Sequence, residues 1–225
     1  MFGWLRREPR HLADHCRRML EALADYPVYE PLHRQGPNCP RHFPDQEMQE
    51  FAARGRDNFA YFMEHRAERL NALKGFLAGF GVSIDLQEPG LATVSTWLPG
   101  HCGALVPNLG RDETMQIFFR YLKPWEDNLR GLNVIFDLGI FFGECVLARN
   151  PRVHWINWPG ASDNGEAAAS ALHLTGFKSR RDGLDPMGRM LYLCEDDAKD
   201  FRDKTQGERV SAERLLATVR DYSTR

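Results

Sequence analysis

An α+β fold is predicted for this chain of 225 residues: a helical N-terminal half packed with a small mixed or antiparallel sheet around a buried central helix. Three observations carry that expectation. Residues 45–80 repeat apolar side chains at steps of three and four, the period of a helix. Residues 132–149 are apolar on almost every face, which marks a helix enclosed by the rest of the protein. Short alternating runs with the period of a strand gather after residue 80. Helices first and mixed strands later argue against the regular βα alternation of a doubly wound parallel sheet.

Composition bounds the problem. Hydrophobic residues are 43% and charged residues 27% of the chain, enough apolar surface for one substantial core. A single domain over 1–225 is expected, with 1–80 its largely helical part. The formal net charge of -2 supplies no field to draw in nucleic acid or an anionic membrane. The most apolar run, Leu132–Val146, is interrupted by Asp137 and Glu144 and falls short of the roughly 20 residues a bilayer span needs. The N-terminal MFGWLRREPRH has no apolar core of the secretory kind. Five cysteines at irregular spacing do not suggest a disulfide framework, and a reduced cytoplasmic setting is expected.

Taken in order, Pro9–Ala24 reads as a helix with Leu12, Cys16, Met19, Leu20 and Leu23 on its apolar face. Residues 27–44 hold five prolines and Gly36, so an extended Pro-rich loop is expected. Asp45–Phe80 follows as helix, with Gly55 and Arg66 the only breaks in its stripe. Unbroken it would reach about 54 Å, long beside a radius of gyration of about 17 Å, so a break near Gly55 or Gly75 is expected. Val82–Gln87, Leu91–Trp97 and Ala104–Val106 read as strands, with a turn at Pro99–Gly100. Arg111–Lys123 returns to helix and Pro124 stops it. After the central helix come strands at Val153–Trp158, Leu172–Phe177 and Met190–Cys194. Helices follow at Glu195–Arg202 and Val210–Tyr222.

The candidate functional residues begin with the two acids of the central helix. Seven apart, Asp137 and Glu144 point the same way and form one stripe with Ile140, Phe141 and Ala148. Three roles are open to them: facing solvent or a polar seam, pairing with Arg149, Arg152 or an arginine elsewhere, or acting as ligands or as acid and base. The first is favoured, because carboxylates are seldom buried without partners. Gly139 and Gly143, four apart, would let another element approach closely. Trp155 and Trp158 lie on the strand that follows, where they pack a core or line a partner surface.

Thiol and imidazole groups form a second set. His33, Cys39 and His42 share one loop, and His101 and Cys102 adjoin downstream. Four such groups suit tetrahedral zinc, though the paired CxxC spacing of a dedicated site is missing. Cys102 as a nucleophile with His101 as base has no supporting signature around it. No phosphate-cradling glycine motif and no nucleophile elbow is present. The sequence therefore assigns no catalytic residue, no metal and no cofactor. Asp137, Glu144, Arg152, Trp155 and Trp158 are its candidates for a ligand or partner surface.

The run Asp137–Trp155, DLGIFFGECVLARNPRVHW, resembles a pattern in uncharacterised bacterial proteins, in which an apolar helix with a Gly-Glu step leads to a tryptophan-bearing strand. Leu174–Phe177 and Leu184–Pro186 fit the same resemblance, which covers residues 131–195 and implies no activity. With no nucleophile, base and stabilising donor in recognisable order, the expected function is a non-catalytic cytoplasmic protein that binds a protein partner or small ligand, as an accessory or immunity protein does. The alternative is a metal-dependent hydrolase using Cys39, His42, His101 and Cys102, or the acids of the central helix.

Overall fold

Helices enclose a helix. The computed structural model describes residues 10–34, 45–158, 171–178, 183–203 and 213–225. In chain order these form α1 (Arg10–Ala24), α2 (Asp45–Ala78), α3 (Glu88–Leu105), α4 (Asp112–Arg120), a short 3-10 turn (Asp127–Leu129), α5 (Gly131–Arg149), β1 (His154–Trp158), β2 (Ala171–Thr175), α6 (Pro186–Asp203) and α7 (Arg214–Thr224). The architecture is α+β: among the described residues, a helical body with one antiparallel strand pair, in which Trp155 of β1 pairs Leu174 of β2.

Helix α5 is the hub. Every residue from Gly131 to Gly143 is buried, and α2, α3, α6 and α7 all pack against it. A helix that is apolar all round has no solvent face to offer, so the chain surrounds it. The segment Asp127–Arg149 has the length and composition of a membrane span, but 83% of its apolar window is buried inside the protein, as in a core helix. Its glycines set the approach distances. A Cβ at Gly139 would stand 2.7 Å from the Met187 Cα of α6, and one at Gly143 would stand 2.4 Å from the Trp155 ring. The two glycines therefore admit two different neighbours.

Helix α2 runs unbroken for 34 residues, which corrects the expected break at Gly55 or Gly75. A helical glycine costs about 1 kcal/mol. Burial of Phe62, Leu73 and Leu77 along the same face outweighs it.

Four strand expectations are also corrected. Leu91–Trp97 lies inside α3, Ala104 and Leu105 close that helix with Val106 as its extended cap, and Pro99 and Gly100 lie inside it rather than in a turn. The β-branched Thr93, Val94 and Thr96 suggest a strand, but Leu91, Val94, Leu98, Cys102 and Leu105 step by three and four, and these are the buried residues. Pro89 is accommodated in the first turn of α3, where its missing N–H costs nothing. Met190–Cys194 lies inside α6, whose buried Met187, Met190, Leu191, Cys194 and Ala198 keep helical spacing. That helix starts earlier than expected, because Asp185 accepts the Gly188 N–H at 2.9 Å and Pro186 opens the first turn. Val82–Gln87 keeps the alternation of a strand, with Val82 and Ile84 buried and Ser83 and Asp85 exposed, but it has no ladder partner among the described residues.

Between α1 and α2 the chain has no regular structure over residues 26–34; the remainder of the Pro-rich loop, residues 35–44, lies outside the described residues. This strap crosses α2 and α5 and shapes the site described next.

Candidate functional site

An ionic seam joins α2 to α5. Arg69 donates through Nε to Asp137 Oδ1 at 2.8 Å and through Nη2 to Oδ2 at 2.7 Å, while the Tyr26 hydroxyl donates to Oδ2 at 2.5 Å. Two turns along, Arg66 Nη1 stands 3.2 Å from Glu144 Oε1, and the Trp155 indole N–H donates to the same oxygen at 2.8 Å. Residue 66 meets 144 and 69 meets 137, so the helices run in opposite directions.

Asp137 is 0% exposed, which corrects the expected solvent-facing stripe. Both acids take the ion-pair role, but with Arg66 and Arg69 of α2 rather than with Arg149 or Arg152. Arg149 instead donates to the Leu86 and Cys145 carbonyls, each at 2.7 Å, and Arg152 is exposed. Burial pushes the Asp137 carboxyl up to about 6, against the pull of Arg69 and the Tyr26 hydrogen bond. Burial, and then the neighbouring Asp137, lift the Tyr26 phenol well above its usual value, which keeps it a donor. Glu144 keeps 17% exposure at its side chain. Trp155 is buried against Phe62, with ring centroids 5.1 Å apart. Asp137 and Trp155 thus face the interior, and neither offers a surface to a partner. Trp158 closes β1 opposite Ala171, and its side chain lies outside the described residues.

The thiol and imidazole set is dispersed where it is described. Cys102 is buried on α3, where its thiol hydrogen-bonds the Cys194 thiol of α6, and burial raises it well above the usual thiol range. A protonated buried thiol is a poor nucleophile. The His101 ring stacks on Trp97 at 4.5 Å, and its Nδ1 lies 2.7 Å from the Trp97 carbonyl. His33 pairs with Asp57 at 2.9 Å. Cys39 and His42 lie outside the described residues. Among the described residues no group of three or more His, Cys, Asp or Glu is placed to hold a metal ion.

The strap builds an aromatic cleft beside the seam. Tyr29 and Pro31 form one wall; Asn58, Phe118, Phe119, Tyr121, Trp125, Phe136 and Leu172 form the rest. The cleft is small, with an accessible volume of about 70 Å³, and it opens to solvent. Tyr29 stacks on Phe136 at 4.4 Å, and Phe118 lies parallel to Trp125 at 5.1 Å. Tyr121 caps α4 with φ 46°, a left-handed backbone that costs a bulky residue about 1–2 kcal/mol. Its buried ring, and its hydroxyl hydrogen bond to the Tyr29 carbonyl, hold it there.

Three polar side chains of this lining, Asn58, Tyr121 and Trp125, are engaged internally. Trp125 donates to the Ile117 carbonyl, and the Asn58 amide bonds both the N–H and the carbonyl of His33. The walls, mostly aromatic, therefore suit an apolar group, since a polar one would find few free partners in exchange for lost water. Outside the cleft the apolar surface continues: Phe119 is 38% exposed and stands 5.9 Å from the ring of Tyr192, itself 50% exposed, while Leu122, 40% exposed, follows Tyr121 in the chain. Sequence reasoning misses this site because it is assembled from five separate segments. The available signal is the aromatic density of residues 118–125, FFRYLKPW. A second, polar depression is bordered by Asn108, Glu113, Lys123 and Asn128, all of them exposed.

No family model matches this chain, and no curated protein or solved structure matches it.

Proposed function

We propose that this chain is a non-catalytic cytoplasmic binding protein of bacterial accessory or immunity type. It takes a protein partner, or a small ligand with an apolar group, at the aromatic cleft and the Phe119–Tyr192 edge. The observation that supports this reading is the continuity of the cleft with exposed aromatic side chains. Tyrosine, phenylalanine and tryptophan concentrate where partners bind, and a contiguous exposed aromatic edge marks a contact surface more often than an idle one. The acids most open to a catalytic reading, Asp137 and Glu144, are engaged in ion pairs between α2 and α5. A formal charge of -2 favours neither nucleic acid nor an anionic membrane as the partner.

The test is copurification at native expression level with Phe119→Glu, Tyr192→Glu and, as a surface control that does not line the cleft, Arg17→Ala. A stoichiometric partner lost with the first two variants and kept with the third is the expected result. A partner indifferent to Phe119 and Tyr192 would overturn the assignment. So would turnover of a substrate that is abolished by changing one polar residue.

A further inference from the structure

The strap is fastened in an unusual way. With no helix or strand over residues 26–34, its backbone groups need partners from elsewhere. They find them on side chains. The Tyr29 N–H donates to Asn133 Oδ1 at 2.8 Å, and the Tyr29 carbonyl accepts from the Tyr121 hydroxyl. The Pro27 carbonyl accepts from Arg69 Nη1 at 2.9 Å. The His33 N–H and carbonyl both bond the Asn58 amide at 2.8 Å. Asn133 is itself fixed, donating to the Trp125 carbonyl at 2.8 Å. Four side chains, Asn58 and Arg69 of α2, Asn133 of α5 and Tyr121 after α4, thus clasp the strap, and none of these bonds belongs to a ladder that continues into neighbouring structure. The same strap carries Tyr29 and Pro31 into the cleft wall, where Tyr29 covers Phe136.

We propose that residues 26–34 form a gate over the aromatic cleft, held shut by the side-chain clasp and able to open as a unit while the helical body stays folded. This rests on the cleft being the binding site. Opening withdraws Tyr29 and Pro31 and uncovers Phe136, Tyr121 and Trp125 to an incoming apolar group. Because none of its backbone bonds lies in a helix or strand ladder, the strap can part from the body without dismantling one, below the free energy of global unfolding and at the cost of unburying Tyr26 and Tyr29. A competent state of low population lowers apparent affinity by its fraction, so the clasp tunes how readily the site is filled.

Amide hydrogen exchange read residue by residue tests this, with each variant read at the far clasp so that the lost bond itself is not scored. In Asn58→Ala the Tyr29 amide should exchange at least tenfold faster, and in Asn133→Ala the His33 amide should do so, while Leu98 of α3 and Leu191 of α6 keep their rates. Tyr26→Phe, which retains the ring and loses only the hydroxyl, should accelerate both strap amides and serves if either asparagine variant fails to fold. Acceleration confined to the amide beside the substitution would overturn the gate. Equal acceleration at Leu98 and Leu191 would overturn it too, since the strap would then open only with the whole protein. If the strap opens as a unit but the Phe119 and Tyr192 variants leave partner binding untouched, the gate stands and the binding-site assignment fails.

Discussion

Arg69 of α2 grips both carboxylate oxygens of Asp137 on α5, and its remaining terminal nitrogen reaches across to the Pro27 carbonyl. One guanidinium therefore ties two helices and the strap together at a point where Asp137 has no contact with water. A planar fork of donors makes this possible, and a lysine could not reproduce it.

Breaking that pair from one side leaves an uncompensated buried charge, a loss of about 3–5 kcal/mol. Arg69→Met should lower stability by that order in urea unfolding. Removing both charges with Arg69→Met and Asp137→Leu together should recover most of it, because neither residue then strands the other. A double variant as unstable as the sum of the single ones would show that the pair is not coupled.

The pH dependence has a definite sign. Asp137 is raised to about 6 in the folded protein, from 3.8. The folded state thus holds this proton more tightly than the unfolded state. The stability it contributes is fully present below about pH 4 and is lost as the pH rises through 6. A shift of this size amounts to about 3 kcal/mol across that window. Asp137→Asn, which cannot titrate, should remove this component, so the difference in unfolding free energy between variant and parent should change between pH 4 and 7. A difference that stays flat would contradict the assignment.

The α+β class, the buried hub and the stripe of α2 were legible in the sequence, because each follows from periodicity. The roles of Asp137 and Glu144 were only half legible. Their shared face could be read from a spacing of seven, but the partners sit on another helix. Arg66 interrupts the apolar stripe of α2, and Arg69 lies one turn on. Together they match the acids in reverse order, a pattern that acquires meaning only once α2 and α5 are known to pack. The strand expectations for Leu91–Trp97 and Met190–Cys194 failed where β-branched and aromatic residues masked a helical spacing of buried positions. The cleft was not legible at all, since Tyr29, Asn58, Trp125 and Leu172 are brought together by tertiary packing alone.

Two glycine substitutions separate close approach from mere helix propensity. A Cβ at Gly139 would meet the Met187 Cα at 2.7 Å, whereas one at Gly75 meets nothing within 4 Å. Gly139→Ala should push α6 away from α5 and cost about 1–3 kcal/mol. Gly75→Ala, at an open position inside α2, should stabilise by up to about 1 kcal/mol through helix propensity and a less flexible unfolded chain. Thermal melting distinguishes them by direction, and destabilisation at Gly75 would mean that α2 needs flexibility there.

Glu144 tests whether the second half of the seam serves packing or charge. Its Oε1 accepts the Trp155 indole N–H at 2.8 Å and faces Arg66 at 3.2 Å. Arg66 is half-buried, so the Coulombic part is screened by nearby water and is worth about 1 kcal/mol or less. The hydrogen bond to the buried Trp155 ring matters more. An indole N–H left without an acceptor costs about 1–3 kcal/mol, and the ring is pinned between Gly143 and Phe62 with no room to turn toward solvent. Glu144→Gln keeps an oxygen for the indole and loses the charge, so it should cost less than about 1 kcal/mol. Glu144→Ala loses both and should cost about 1–3 kcal/mol more than the glutamine variant. Indole N–H chemical shifts report the bond directly: the Trp155 signal should move little in the glutamine variant and strongly in the alanine one. Equal destabilisation by the two substitutions would place the energy in the Arg66 charge pair instead.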